Sequence, residues 1–108
     1  MYDAIKSSVL SGGINHIDTA PNYRYTKSER TVGRVLTSLD NKYGISRNQL
    51  FISTKGGLVA EDAERMVSRS DEINRMITKL GVPEEDLVKE SAHCLHPKFL
   101  KDQLEGSL

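Results

Sequence analysis

Two short alternating runs, 14–19 and 50–55, are separated by one amphipathic helical stretch, and that spacing narrows what this chain can become more than any other feature. In the first run Ile14, His16 and Asp18 fall on one side and Asn15, Ile17 and Thr19 on the other. In the second, Leu50, Ile52 and Thr54 oppose Phe51, Ser53 and Lys55. A period of two is that of a strand with two distinct faces. The connection between the runs has the length that a crossover between parallel strands requires. The expected fold class is therefore α/β, with two parallel strands and flanking helices.

The segments around these runs fill in the order. Ala4, Ile5, Val9 and Leu10 keep helical spacing and Gly12-Gly13 follows as a left-handed stop. Pro21 ends the first strand. Thr26 and Glu29 are spaced as a capping box before the stripe Val32, Val35, Leu36, Leu39 and Tyr43, and Gly44 closes that helix. Gly56-Gly57 ends the second strand, and Gly33 is expected to let the helix approach the sheet. From Glu61 to Leu80 the chain is charged, yet Met66, Val67, Ile73, Met76, Ile77 and Leu80 recur near helical spacing, predicting one or two surface helices before Gly81 and Pro83. Pro97 suits the first position of a last helix, with Leu100, Leu104 and Leu108 along one face.

Composition excludes more than it assigns. Fifteen Lys and Arg balance fifteen Asp and Glu, so no net field gathers nucleic acid or an anionic membrane. Cys94 is the one cysteine, which excludes an internal disulfide and fits a reducing compartment. Apolar runs fall short of the roughly 20 residues of a membrane span, and the first ten residues lack the pattern of a secretory signal. The expectation is a cytoplasmic protein binding neither nucleic acid nor membrane. His93, Cys94 and His96 match no common zinc spacing, so they are read as loop or packing residues and no metal is expected. Tyr25 and Tyr43 are read as packing residues, and the charged stretch from Glu61 to Glu72 as a solvated helix face.

Chemistry gathers at the ends of the two runs. Parallel neighbours lie about 4.8 Å apart, so Asp18 and Lys55 end their strands on one face and one edge and can form an ion pair. Parallel α/β folds collect their catalytic groups at this carboxyl edge, and the loop after Thr19 brings Tyr23 there. An ammonium about 4 Å from a phenol favours its ionised form, by about 4 kcal/mol at an effective dielectric near 20. Such a phenol suits proton transfer to a carbonyl oxygen while hydride reaches the carbon, with the carboxylate holding the ammonium.

The run from Gly13 to Tyr23, Gly-Ile-Asn-His-Ile-Asp-Thr-Ala-Pro-Asn-Tyr, followed by Lys27-Ser28-Glu29-Arg30 and Gly33, resembles the signature of the aldo/keto reductase family. Phe51-Ile-Ser-Thr-Lys55 is similar to that family's third barrel strand, and His96-Pro97-Lys98-Phe99-Leu100 to the helix before its fourth, with an extended insertion ahead of it. The resemblance implies a partial (β/α)8 TIM barrel and NADP(H)-dependent reduction of a small-molecule aldehyde or ketone. It implies that Tyr23 is the general acid, Asp18 and Lys55 its supporting ion pair, and Asp18 and Tyr23 part of the cofactor-binding surface. The family's fourth catalytic residue, a His ending the fourth strand, is expected to lie outside residues 1–108, and neither His93 nor His96 is expected to replace it.

The chain is accordingly expected to be an incomplete domain, lacking the first strand and everything from the fourth on, and inactive by itself. A closed barrel needs eight strands and typically about 250 residues. Two strands leave two open edges and an uncovered inner face, including Ile14 and Phe51, through which copies are free to associate. The alternative is a non-catalytic interaction module derived from a barrel fragment.

Overall fold

The structure, a computed structural model, describes residues 1–88 and 93–107. In chain order it has helix α1 (Tyr2–Leu10), strand β1 (His16–Asp18), helix α2 (Lys27–Tyr43), a short turn of 3-10 helix (Arg47–Gln49) and strand β2 (Phe51–Ser53). Helix α3 (Arg69–Thr78) follows, then a second 3-10 turn (Glu84–Asp86), strands β3 (Leu87–Val88) and β4 (His93–Cys94), and helix α4 (Pro97–Ser107). β1 and β2 pair in parallel, with His16 beside Phe51, Ile17 beside Ile52 and Asp18 beside Ser53. The expected α/β class is thus present. Both strands are shorter than their alternating runs, because in a two-stranded sheet a residue counts only where its neighbour is also in place. Asn15 and Thr19 still add one flanking bond each, Phe51 N–H to Asn15 O and Thr19 N–H to Ser53 O, both at 2.8 Å.

Strand alternation splits the sheet between two environments. Ile17 and Ile52 point toward α1 and α2 and pack against a core of Val9, Val35, Leu39 and Leu50. On the opposite face Ile14 is 46% and Phe51 68% exposed. Each helix meets the first core along one stripe: Ile5 and Val9 of α1, Val35, Leu36 and Leu39 of α2. Ala4 and Leu10 stay exposed, and so does Tyr43, whose ring receives the Lys6 ammonium at 5.8 Å instead of packing inward. Gly44 at φ +67 ends α2 as expected, a backbone angle that glycine adopts without a Cβ clash.

A second core lies around α3 and α4, with Val59, Met76, Val82, Leu87, Cys94 and Phe99 buried together. Here the expectations need correction. The stretch 61–80 is not helical throughout: Asp62 and Val67 exchange both backbone hydrogen bonds at 2.9 Å across a tight turn, and helix begins only at Arg69. The physical reason is the cap at Ser68, whose hydroxyl accepts from Asp71 N–H while the Asp71 carboxylate accepts from Ser68 N–H. Met66, in the turn, is 89% exposed, and Ile73 and Ile77 supply the packing stripe with Met76. In α4 the buried residue is Phe99 and Leu104 is 58% exposed, while Leu108 lies outside the described residues. The ring of Phe99 fills the second core, while Leu104 faces outward. The antiparallel pair β3–β4, too short to leave a periodic signal, brings Cys94 into this core.

Candidate functional site

β1 and β2 end together, and the register puts His16 and Asp18 on the same face as Phe51, Ser53 and Lys55. His16 Nε2 and Ser53 Oγ share a hydrogen bond at 2.7 Å across that face. One step further along, Lys55 Nζ donates to Asp18 Oδ2 and to the Thr19 carbonyl, both at 2.8 Å. The parallel pairing is therefore what brings the acid and the amine into contact.

Tyr23 arrives from the β1–α2 loop. Its N–H donates to Ala20 O and its carbonyl accepts from Ser28 N–H, each at 3.2 Å, over a buried hydrogen bond between the Thr19 and Ser28 hydroxyls. Lys55 Nζ then lies 5.0 Å from the centre of the Tyr23 ring, within the range of a cation–π contact. The structure thus brings Asp18, Tyr23 and Lys55 into one cluster at the carboxyl edge of the sheet. All three are partly open: the side chains of Asp18 and Lys55 are 57% and 48% exposed, and Tyr23 is 43% exposed.

The Asp18 hydrogen bond raises the Lys55 ammonium above the ordinary lysine range against the opposing effect of desolvation, with a smaller contribution from the Tyr23 phenol. The amine is charged throughout the neutral range. Chemically the cluster offers a carboxylate that fixes a cation, and a cation against a phenol ring. A carbonyl placed here would meet a phenol hydroxyl and a positive charge suited to a developing oxyanion.

Three consecutive residues after Tyr23 have left-handed backbone: Arg24 at φ 52, Tyr25 at φ 54 and Thr26 at φ 71. For residues with a Cβ each costs roughly 1–2 kcal/mol, so surrounding contacts must hold the turn. This geometry overturns the expected capping box. Thr26 occupies the N-cap of α2, but its hydroxyl makes no cap bond and accepts from Arg30 at 3.2 Å. Glu29 is thereby free to bond elsewhere. Its Oε1 accepts from Thr54 Oγ1 at 2.5 Å and from Ser107 Oγ at 2.9 Å, tying α2 to the residue before Lys55 and to the end of α4. Tyr25 is no packing residue, at 60% exposure, and a Cβ on Gly33 would meet nothing within 4 Å, so that glycine is not needed for helix–sheet approach.

The solvated face expected for the charged stretch is also corrected at one residue. Asp62 is largely covered and receives both arms of Arg30, at 2.8 and 2.5 Å, with Glu64 joining at 3.2 Å. Hydrogen bonding to Arg30 holds the Asp62 carboxyl far below the usual carboxylate range, with Arg65 N–H acting in the same direction. No motif marks Asp62 in the sequence, since it lies in a turn outside any periodic element that would set its register against Arg30. Glu29 carried a signal, but one shared with every helix start. Cys94 is fully buried in the second core, His93 pairs in β4, and His96 Nε2 lies 3.9 Å from Asp86. Among the described residues no three His, Cys, Asp or Glu side chains are grouped to hold a metal ion.

No helix among the described residues is long and apolar enough to cross a membrane. Neither the curated proteins nor the solved structures yield a match. The family model of the aldo/keto reductases matches residues 2–100, which takes in both strands and the three clustered side chains, and the chain therefore belongs to the aldo/keto reductase family.

Proposed function

We propose that this chain carries the proton-donating corner of an NADP(H)-dependent reductase that converts aldehydes or ketones to alcohols. The reading is carried by one observation: the Lys55 ammonium touches Asp18 at 2.8 Å and faces the Tyr23 ring at 5.0 Å, at the end of two parallel strands. Tyr23 is the general acid that delivers a proton to the carbonyl oxygen. Lys55 stabilises the charge left on the phenol, and Asp18 keeps Lys55 charged and in place. NADP(H), when bound, supplies the hydride, and Asp18 and Tyr23 are the residues that would border its nicotinamide. Residues 1–108 are read as part of one barrel domain, contributing its second and third strands, in a cytoplasmic setting.

As this chain the site is expected to be inactive. Hydride and proton transfer need a site closed to water, whereas Asp18, Tyr23 and Lys55 stand on a face open to solvent. The test is consumption of NADPH with 4-nitrobenzaldehyde by the purified chain, beside Tyr23→Phe and Lys55→Met. Background rates for all three are expected. Turnover lost in both variants would overturn the inactivity and keep the roles; turnover surviving Tyr23→Phe would remove Tyr23 as the acid.

A second reading is favoured by the exposure of Phe51 and the two open strand edges: an interaction module that binds itself or a partner through them. Sedimentation separates the two, a discrete oligomer with cooperative melting supporting the module and a monomer excluding self-association.

A further inference from the structure

Four residues other than glycine have left-handed backbone among those described, and all four lie in two turns that touch: Arg24, Tyr25 and Thr26 after Tyr23, and Met66 in the 62–67 hairpin. The hairpin reaches the loop through Ala63 N–H, which donates to Tyr25 O at 3.4 Å. Arg30 joins the same two turns from the side, donating to Thr26 Oγ1 at 3.2 Å and to both oxygens of Asp62. The hairpin in turn presents the carboxylate ready-formed, because Arg65 N–H donates to Asp62 Oδ1 at 3.1 Å. A strained segment persists only where its surroundings over-determine it. Beside the turn's own backbone bonds, Tyr25 N–H to Asn22 O and Lys27 N–H to Arg24 O, and a weaker Arg30–Glu64 contact, that surrounding includes one bidentate ion pair, the strongest geometry available to a guanidinium and a carboxylate.

We propose that Arg30 and Asp62 are positioning residues whose ion pair clamps the 62–67 hairpin onto the left-handed turn at Arg24–Thr26 and so holds the Tyr23 ring over Lys55. The rival account is that Tyr23 is held by its own turn, through Ala20 O and Ser28 N–H, with the clamp serving stability alone. The proposal deepens the reading of Tyr23 as the proton donor, but its test reads ring placement and not turnover, so the two can fail separately.

An ammonium over a ring places the Lys55 ε-methylene protons in the shielding region of Tyr23, and NMR of the labelled full chain reports this as an upfield shift. Tyr23→Leu defines the shift with the ring gone. Asp62→Asn, close in shape and uncharged, is expected to lose most of the difference and to expose the Ala63 amide to exchange. Asp62→Glu, which keeps the charge, is expected to recover part of it. Amide resonances of Val35 and Leu39, in the other core, serve as the folding control. A Lys55 shift unchanged in Asp62→Asn while the Ala63 amide loses protection would overturn the proposal in favour of the rival. Should Asp62→Asn not fold, Arg30→Lys is read the same way: it keeps the cation and gives up the fork, and an unchanged shift there would equally overturn the clamp.

Discussion

Glu29 shows how much a single carboxylate decides when it serves three elements at once. It accepts two hydroxyl bonds, from the residue before Lys55 and from the last described residue of α4. Hydrogen bonds to a charged group contribute roughly 1.5–3 kcal/mol, so Glu29→Ala is expected to lower stability by about 2 kcal/mol, read from the urea midpoint, and Glu29→Gln by less. Asp62 makes the complementary prediction in pH. Its folded-state pKa is depressed below the unfolded value, so the stability it contributes is full above the ordinary carboxylate range, near pH 4, and is lost as pH falls through the folded pKa. Acid unfolding monitored by circular dichroism should therefore start later in Asp62→Asn relative to its own neutral-pH stability, because the variant has no such contribution to lose.

At the scale of elements, α3 and α4 are joined through Arg75, which donates to Glu72 on its own helix at 2.6 Å and to Asp102 on α4 at 2.5 Å. Those two carboxylates raise the guanidinium further above its already high range. The group is partly exposed, so Arg75→Ala is expected to cost only about 1 kcal/mol, in contrast to about 3–5 kcal/mol for Phe99→Ala beneath it. Urea melts of the two variants check the ratio. Element type was readable wherever a stripe of apolar residues met a solvent face, as in α1, α2 and the parallel pair. Element bounds were not: Ser68 set the start of α3 by closing a local hydrogen-bonded ring, and the helical period of 61–67 was accidental. β3 and β4, two residues each, have no period to read.

Across the whole molecule the apolar interior is divided. One core joins α1, α2 and the sheet, the other joins α3, α4 and β3–β4, and the chain extends 47 Å along its long axis. Its radius of gyration, 15.8 Å, exceeds the ~13 Å of a compact domain of this length. Divided cores unfold less cooperatively than a shared one. Leu39→Ala is thus expected to speed amide exchange in α1 and α2 while α3 and α4 keep most of their protection, and Phe99→Ala to do the reverse. Uniform acceleration of both halves by either substitution would show a single cooperative unit.

Local pattern along the chain was enough for the α/β class, the parallel strands and the meeting of Asp18, Tyr23 and Lys55, because a period of two and a crossover length are properties of near neighbours. What the open face looks like, which residues hold the Tyr23 loop, and where Glu29 turns once its cap is lost came only with the folded packing. Asp18 and Lys55 meet through the register of two periodic strands, whereas Asp62 lies in a turn and Ser107 at a helix end, so Arg30 with Asp62 and Glu29 with Ser107 are paired by packing that no periodic pattern encodes.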